Sequence, residues 1–137
     1  MGELVVKGYV ILTDRLYTGS DEWVKIEDGK ARIGITDYAQ RQLKDIVGVD
    51  LPETGSTVSK GEPLVTIDSI KTAAEVYAPL TGVVVEVNEK LLESPELVNT
   101  DPYGEGWLVV IEPSKLDEEK PKLLSAEDYA KLIEKRE

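Results

Sequence analysis

The segment Thr66-Ile67-Asp68-Ser69-Ile70-Lys71-Thr72-Ala73-Ala74-Glu75-Val76-Tyr77-Ala78-Pro79 sets one lysine between two strand-forming runs, with two alanines close behind it. A lysine at the tip of a hairpin projects into water with nothing to pair, Ala73 and Ala74 leave its flank uncrowded, and such a lysine could be presented to another protein. Asp68 and Glu75 lie seven residues apart across the same turn. As catalysts they would form a carboxylate pair, but general-acid work needs a proton retained near neutral pH, and an exposed turn does not provide that. By residue type alone the bland alternative stays open: Lys71 is one of twelve lysines, and a lone exposed lysine is most often a solubility residue. Asp68 and Glu75 equally fit ordinary strand-end carboxylates.

Composition narrows the chemistry further. The 137 residues contain no histidine and no cysteine, which removes the commonest general base, thiol nucleophiles, disulfides and the usual zinc ligands. Sixteen basic against 27 acidic side chains give a net charge of -11, so a phosphate backbone would be repelled and nucleic acid is not an expected partner. A hydrophobic fraction of 41% with 31% charged residues describes a globular chain long enough for one compact domain. No apolar run approaches the roughly 20 residues of a membrane helix, and Met1-Gly2-Glu3-Leu4 lacks the basic and apolar regions of a secretory signal. The expectation is a cytoplasmic protein that does not engage a membrane.

The elements that must position the lysine are short strands separated by turns. Trp23 to Glu27 and Lys30 to Ile35 flank Asp28-Gly29, a pair suited to a two-residue hairpin; folding there sets Ile26 opposite Ala31 and Val24 opposite Ile33 on one apolar face. Asp37, with Gln40 three residues on, has the pattern of a capping box and predicts a helix from Asp37 to about Lys44, followed by a strand from near Ile46 in which Val47, Val49 and Leu51 alternate. Leu64 to Ile67, Glu75 to Ala78, Val83 to Val87 and Trp107 to Ile111 are β-rich runs between turn residues, the pattern of a small sandwich or barrel. Ser94-Pro95-Glu96 reads as an N-cap with proline at the first helical position. Lys115 to Lys122 reads as a charged connector, and Ser125 with Asp128 opens a C-terminal helix carrying Tyr129, Leu132 and Ile133.

Seven blocks then resemble one family in order and spacing. Asp21-Glu22-Trp23-Val24-Lys25, Gly34 to Gln40, Asp68 to Ala74, Val76 to Pro79, Gly82 to Asn88, Ser94 to Asn99 and Asp101 to Leu108 are similar to the glycine cleavage H-protein family, and the likeness spans nearly everything from Leu16 to Ile133. The resemblance implies a mainly β, lipoyl-type barrel-sandwich hybrid with short flanking helices. It implies a single carrier domain over 1–137, with a core of about 16–113 and a connector plus C-terminal helix over 114–137. It also implies that Lys71 is joined by an amide to lipoic acid, with Asp68 and Glu75 as recognition elements for the lipoylating enzyme. The protein would then be a non-catalytic monomeric carrier. It would shuttle an aminomethyl group between a pyridoxal-phosphate glycine decarboxylase, a tetrahydrofolate-dependent aminomethyltransferase and a dihydrolipoyl dehydrogenase, after loading by a lipoate ligase or a lipoyl/octanoyl transferase. The loaded arm is expected to fold back into a groove that the sequence does not locate.

The chain departs from the family at several positions. Asp21 and Tyr38 stand where histidine is usual, Asp68 replaces a glutamate, Ile70-Lys71-Thr72 replaces valine-lysine-alanine, and Met1 to Asp14 is longer than the minimal pattern. These changes leave attachment untouched but keep an alternative open: an H-protein-like lipoate-binding protein of a sulfur-oxidation pathway, or a lipoyl relay. Biotin carriers share the barrel but usually flank their lysine with methionine on both sides, which Ile70 and Thr72 do not match.

Overall fold

The computed structural model describes residues 2–136. Eleven strands dominate among these residues. An N-terminal hairpin pairs β1 (Glu3–Val6) with β2 (Tyr9–Leu12). A six-stranded sheet follows the order β3-β4-β5-β11-β10-β7, from β3 (Leu16–Tyr17), β4 (Glu22–Glu27), β5 (Lys30–Ile35), β7 (Thr57–Val58), β10 (Gly82–Val87) and β11 (Val109–Pro113). A three-stranded sheet, β6-β8-β9, is built from β6 (Ile46–Asp50), β8 (Pro63–Ser69) and β9 (Ala73–Tyr77). The helices are α1 (Asp37–Leu43), α2 (Lys90–Glu93), α3 (Leu97–Thr100), α4 (Leu116–Glu119) and α5 (Ala126–Lys135). The architecture is mainly β with flanking helices, one of them at the C-terminal end, as the sequence predicts. Among the described residues, no helix is long and apolar enough to cross a membrane.

The two larger sheets enclose one core, in which Val24 and Ile33 of one sheet meet Val65, Ile67 and Val76 of the other. Hairpin β4–β5 folds in the predicted register, with Ile26 opposite Ala31 and Val24 opposite Ile33. Asp28 and Gly29 both take positive φ, +52° and +77°, the backbone that a type I′ turn requires. A second cluster lies on the other face of β4, where buried Trp23 and Tyr17 meet Tyr129 and Ile133 of α5 and Ile11 of β2. The indole lies across β5, and a β-carbon on Gly34 would fall 2.6 Å from its ring. Glycine is needed there for close approach.

Four local expectations are corrected. The cap of α1 is Thr36, whose hydroxyl accepts from Ala39 N at 3.2 Å; Asp37 instead turns its carboxylate to Val10 N, Gln40 and Arg41. Val47 does not alternate inward, because β6 bulges between Ile46 and Gly48 and leaves it 60% exposed. Helix α3 begins at Leu97, and Ser94 is the C-cap of α2, so Ser94-Pro95 lies in the turn between two short helices and caps neither N-terminus. The stretch from Lys115 to Lys122 is more than a connector: it forms α4 and a 3₁₀ turn over Lys120–Lys122. There the buried Glu119 accepts from Thr81 N at 2.7 Å and Thr81 Oγ1 at 2.6 Å. Ser125 does cap α5, accepting from Asp128 N at 3.1 Å.

Candidate functional site

Strands β8 and β9 form an antiparallel hairpin whose turn runs from Ser69 to Thr72. Ser69 is buried at the end of β8 and pairs with Ile46 of β6. Its backbone N donates to Thr72 O at 2.7 Å. Its hydroxyl donates to the same carbonyl at 3.0 Å and accepts from Thr72 N at 3.1 Å and Lys71 N at 3.3 Å. Ile70 N donates to Asp45 O at 2.8 Å, which ties the turn to the segment between α1 and β6. Lys71 therefore stands on a fixed backbone while its side chain is exposed, and among the described residues its amine has no partner. An amine that is to be acylated by another protein has to be reachable and outside any ion pair, and this one is both.

Asp68 and Glu75 are exposed on the outer face of the same hairpin, but on different rungs: Asp68 is opposite Ala73, and Glu75 is opposite Thr66. Glu75 accepts from Thr66 Oγ1 at 3.2 and 3.3 Å, and no hydrogen bond joins the two acids. They form a diagonal pair of surface charges beside Lys71 and not a hydrogen-bonded dyad. Ile70 is 71% exposed and Val47 60%, so apolar surface also flanks the lysine.

Beside the hairpin opens a cleft of about 170 Å³, walled by Glu22, Ile35, Ala39, Leu43, Ile67 and Ala74, with Ser20, Asp21 and Glu75 also lining it. Ala74 faces this space, and its small side chain helps to leave the cleft open. Glu22 is the residue that the sequence analysis did not single out. It is 1% exposed, accepts from Thr18 Oγ1 at 2.5 Å and Ser20 Oγ at 2.6 Å through Oε1, and from Tyr77 N at 3.1 Å through Oε2. A signal for it existed. Glu22 is in phase with Val24 and Ile26 along β4, which puts a carboxylate on the core-facing side of the strand.

Burial pushes the Glu22 carboxyl above its ordinary value, the donors from Ser20, Thr18 and Tyr77 pull the other way, and burial wins. Glu22→Gln keeps an oxygen for the two hydroxyls but turns an NH2 toward Tyr77 N, so it is expected to lose about 1 kcal/mol of stability. A carboxyl whose folded pKa is raised binds its proton more tightly when folded. Its contribution is therefore fullest at and below the ordinary glutamate value of 4.5 and declines as pH rises. In urea unfolding, the advantage of wild type over Glu22→Gln should be largest near pH 4.5 and shrink toward neutrality; an advantage that grows with pH would contradict burial as the dominant influence.

Residues 15–136 match the family model described as Glycine cleavage H-protein. A protein of Saccharolobus solfataricus, named probable glycine cleavage system H protein 1, is 56% identical over 134 residues, covering 97% of this chain and 98% of its own length. The glycine cleavage system H protein of Bacillus subtilis is 50% identical over 121 residues, 88% of this chain and 94% of that protein. Among solved structures, a glycine cleavage system H protein from Mycobacterium marinum superposes with a TM-score of 0.82 at 42% identity, covering 90% of this chain and 98% of that one.

Proposed function

The chain belongs to the glycine cleavage H-protein family, and from that premise we propose that Lys71 is the lysine that carries the lipoyl arm. The family's cofactor is lipoic acid held on a lysine, and the chain is a carrier in the glycine cleavage system, not a catalyst. The observation that supports Lys71 is its placement: an unpaired, exposed amine on a turn whose backbone is fixed by Ser69 and Asp45. When bound, the group supplies reversible dithiol chemistry and carriage of a one-carbon amine. The protein's own contribution is to present that group on a rigid base, so that its concentration at a docked active site is high without tight binding.

The whole chain acts as one carrier domain, cytoplasmic and monomeric. Its partners are a pyridoxal-phosphate glycine decarboxylase, a tetrahydrofolate-dependent aminomethyltransferase and a dihydrolipoyl dehydrogenase, with a lipoate ligase or lipoyl/octanoyl transferase to load the lysine. Asp68 and Glu75 mark the loading site for that last enzyme. The cleft beside β9 is the groove for the arm, because its apolar wall suits the hydrocarbon and the Glu22 carboxylate suits a cationic amine.

Incubation with lipoate ligase followed by intact mass and peptide mapping is expected to place one lipoyl group on Lys71. The loaded protein is expected to support exchange between glycine and bicarbonate by the decarboxylase. The pair Asp68→Asn with Glu75→Gln should slow ligation roughly tenfold without changing the fold, since each lost charge contact at a docked surface is worth up to about 1 kcal/mol. Lipoylation with no exchange activity would favour a role outside glycine cleavage, and modification at another lysine would remove the assignment altogether.

A further inference from the structure

Asp21 takes a left-handed backbone, φ +74°, in the loop where Asp21 N donates to Thr18 O at 3.2 Å and Thr18 N to Glu22 O at 3.0 Å. Glycine is the default at such a position, because a β-carbon crowds the following carbonyl. The chain instead keeps an aspartate and uses its side chain. Asp21 Oδ1 accepts from Arg136 Nη1 at 2.7 Å and from Tyr129 OH at 2.9 Å, while Arg136 Nη2 donates to Gly19 O at 2.9 Å. Tyr129 is fully buried and stacked on Tyr17 with ring centroids 4.7 Å apart, so it is a fixed anchor. Because its proton goes to Asp21, the Thr36 hydroxyl must donate to Tyr129 OH across 2.7 Å. Thr36 Oγ1 in turn accepts from Ala39 N. One polar chain thus joins α1, α5 and the loop that walls the cleft.

We propose that the end of α5 is a working part of the arm cleft: Arg136 and Tyr129 are positioning residues that fix the Asp21 carboxylate in the cleft wall next to Glu22, so that its charge, and the arginine that offsets it, act on the Glu22 carboxylate that faces the arm. The inference rests on the cleft being the arm's groove, as argued above. Among the described residues, no lysine or arginine lines the cleft. Its ionisable side chains are Asp21, Glu22 and Glu75; α1 presents the uncharged Ala39, Gln42 and Leu43, and β9 also offers the Tyr77 N–H. Arg136 meets the acidic side chains of this wall at Asp21, where it offsets the charge next to Glu22. Deleting the arginine leaves Asp21 uncompensated beside Glu22, whereas deleting the aspartate removes that charge. Two substitutions that break the same ion pair therefore act on Glu22 in opposite senses.

The test follows the Glu22 carboxyl by carbon NMR against pH in the full, unlipoylated chain. Arg136→Gln is expected to raise the titration midpoint by about one pH unit, and Asp21→Gly to lower it by a similar amount. The double variant should follow Asp21→Gly, which keeps the left-handed loop because glycine adopts it freely. Midpoints that do not move, or that move in the same direction, overturn the proposal. A second measurement uses the lipoylated protein after it has been charged with the aminomethyl group by glycine and the decarboxylase and then separated from that enzyme, and records hydrolysis by water, which frees ammonia and formaldehyde and leaves the dithiol. Arg136→Gln and Glu22→Gln are both expected to release ammonia several-fold faster than wild type. Faster release from Glu22→Gln alone overturns the role of Arg136, and equal release from all three overturns the cleft as the arm's groove along with it.

Discussion

Lys71→Arg is expected to abolish lipoylation, and with it all glycine–bicarbonate exchange, while leaving the folded protein intact. Arginine keeps the positive charge and a similar length, so any role that Lys71 plays as a solvated cation survives the change. It does not keep a primary amine: the guanidinium is delocalised and stays protonated, so it cannot attack an activated acyl group. The fold should be indifferent because the turn is fixed by Ser69, Thr72 and Asp45 through backbone and hydroxyl contacts, and none of these involves the Lys71 side chain. The expected change in unfolding free energy is within about 0.5 kcal/mol, as for other exposed positions. Intact mass reads the first effect and urea unfolding the second. Residual lipoylation of the arginine variant would mean that another lysine is the attachment point. A large loss of stability would mean that the side chain supports the turn.

Where local pattern and tertiary demand coincide, the sequence is legible. Asp28-Gly29 specifies a turn, alternation on both sides specifies the face, and together they set the register of β4 and β5. The lysine's place at a hairpin apex is legible for the same reason, since apolar runs and small residues bracket it. The errors fall where a neighbouring residue of similar chemistry competes for one role. Thr36 and Asp37 are both capable caps, and Asp37 is diverted because Val10 N of the N-terminal hairpin requires an acceptor at 2.9 Å. Nothing in the local sequence announces that distant demand. Val47 fits period two until the bulge at Ile46 shifts the phase, and a bulge of this kind is a property of the paired strand, Ser69 to Thr66, as much as of its own. Helices of one turn, such as α2 and α4, are too short to carry a 3.6-residue period and are held by tertiary contacts. Glu22 illustrates the limit for the site: its phase is visible and Thr18 and Ser20 lie within four residues of it, but its third partner, the Tyr77 N–H of β9, arrives only through tertiary packing.

Asn99→Ala is expected to lower stability by about 2–3 kcal/mol and to loosen the lysine-bearing turn, although Asn99 touches neither Lys71 nor its hairpin. Asn99 lies on α3 and makes three bonds to the segment that leaves α1. Its Oδ1 accepts from Ile46 N at 2.9 Å, and its Nδ2 donates to Lys44 O at 2.8 Å and Gln40 Oε1 at 3.0 Å. Lys44 has a positive φ of 68°, an unfavourable backbone for a non-glycine residue that the surroundings must hold in place. Ile46 is buried, so its N–H has no ready replacement for the lost acceptor, and an orphaned buried donor costs more than the bond itself contributed. Between Lys44 and Ile46 lies Asp45, whose carbonyl receives Ile70 N. Releasing the segment therefore releases one end of the turn. Hydrogen exchange should quicken at the Ile70 and Ile46 amides well beyond the global change. Lipoylation should slow without stopping, since the amine remains but its presentation becomes variable. A variant that loses less than about 1 kcal/mol, or one whose Ile70 amide exchanges as in wild type, would show that α3 and the turn are energetically separate and that the rigidity of the lysine's base comes from Ser69 alone.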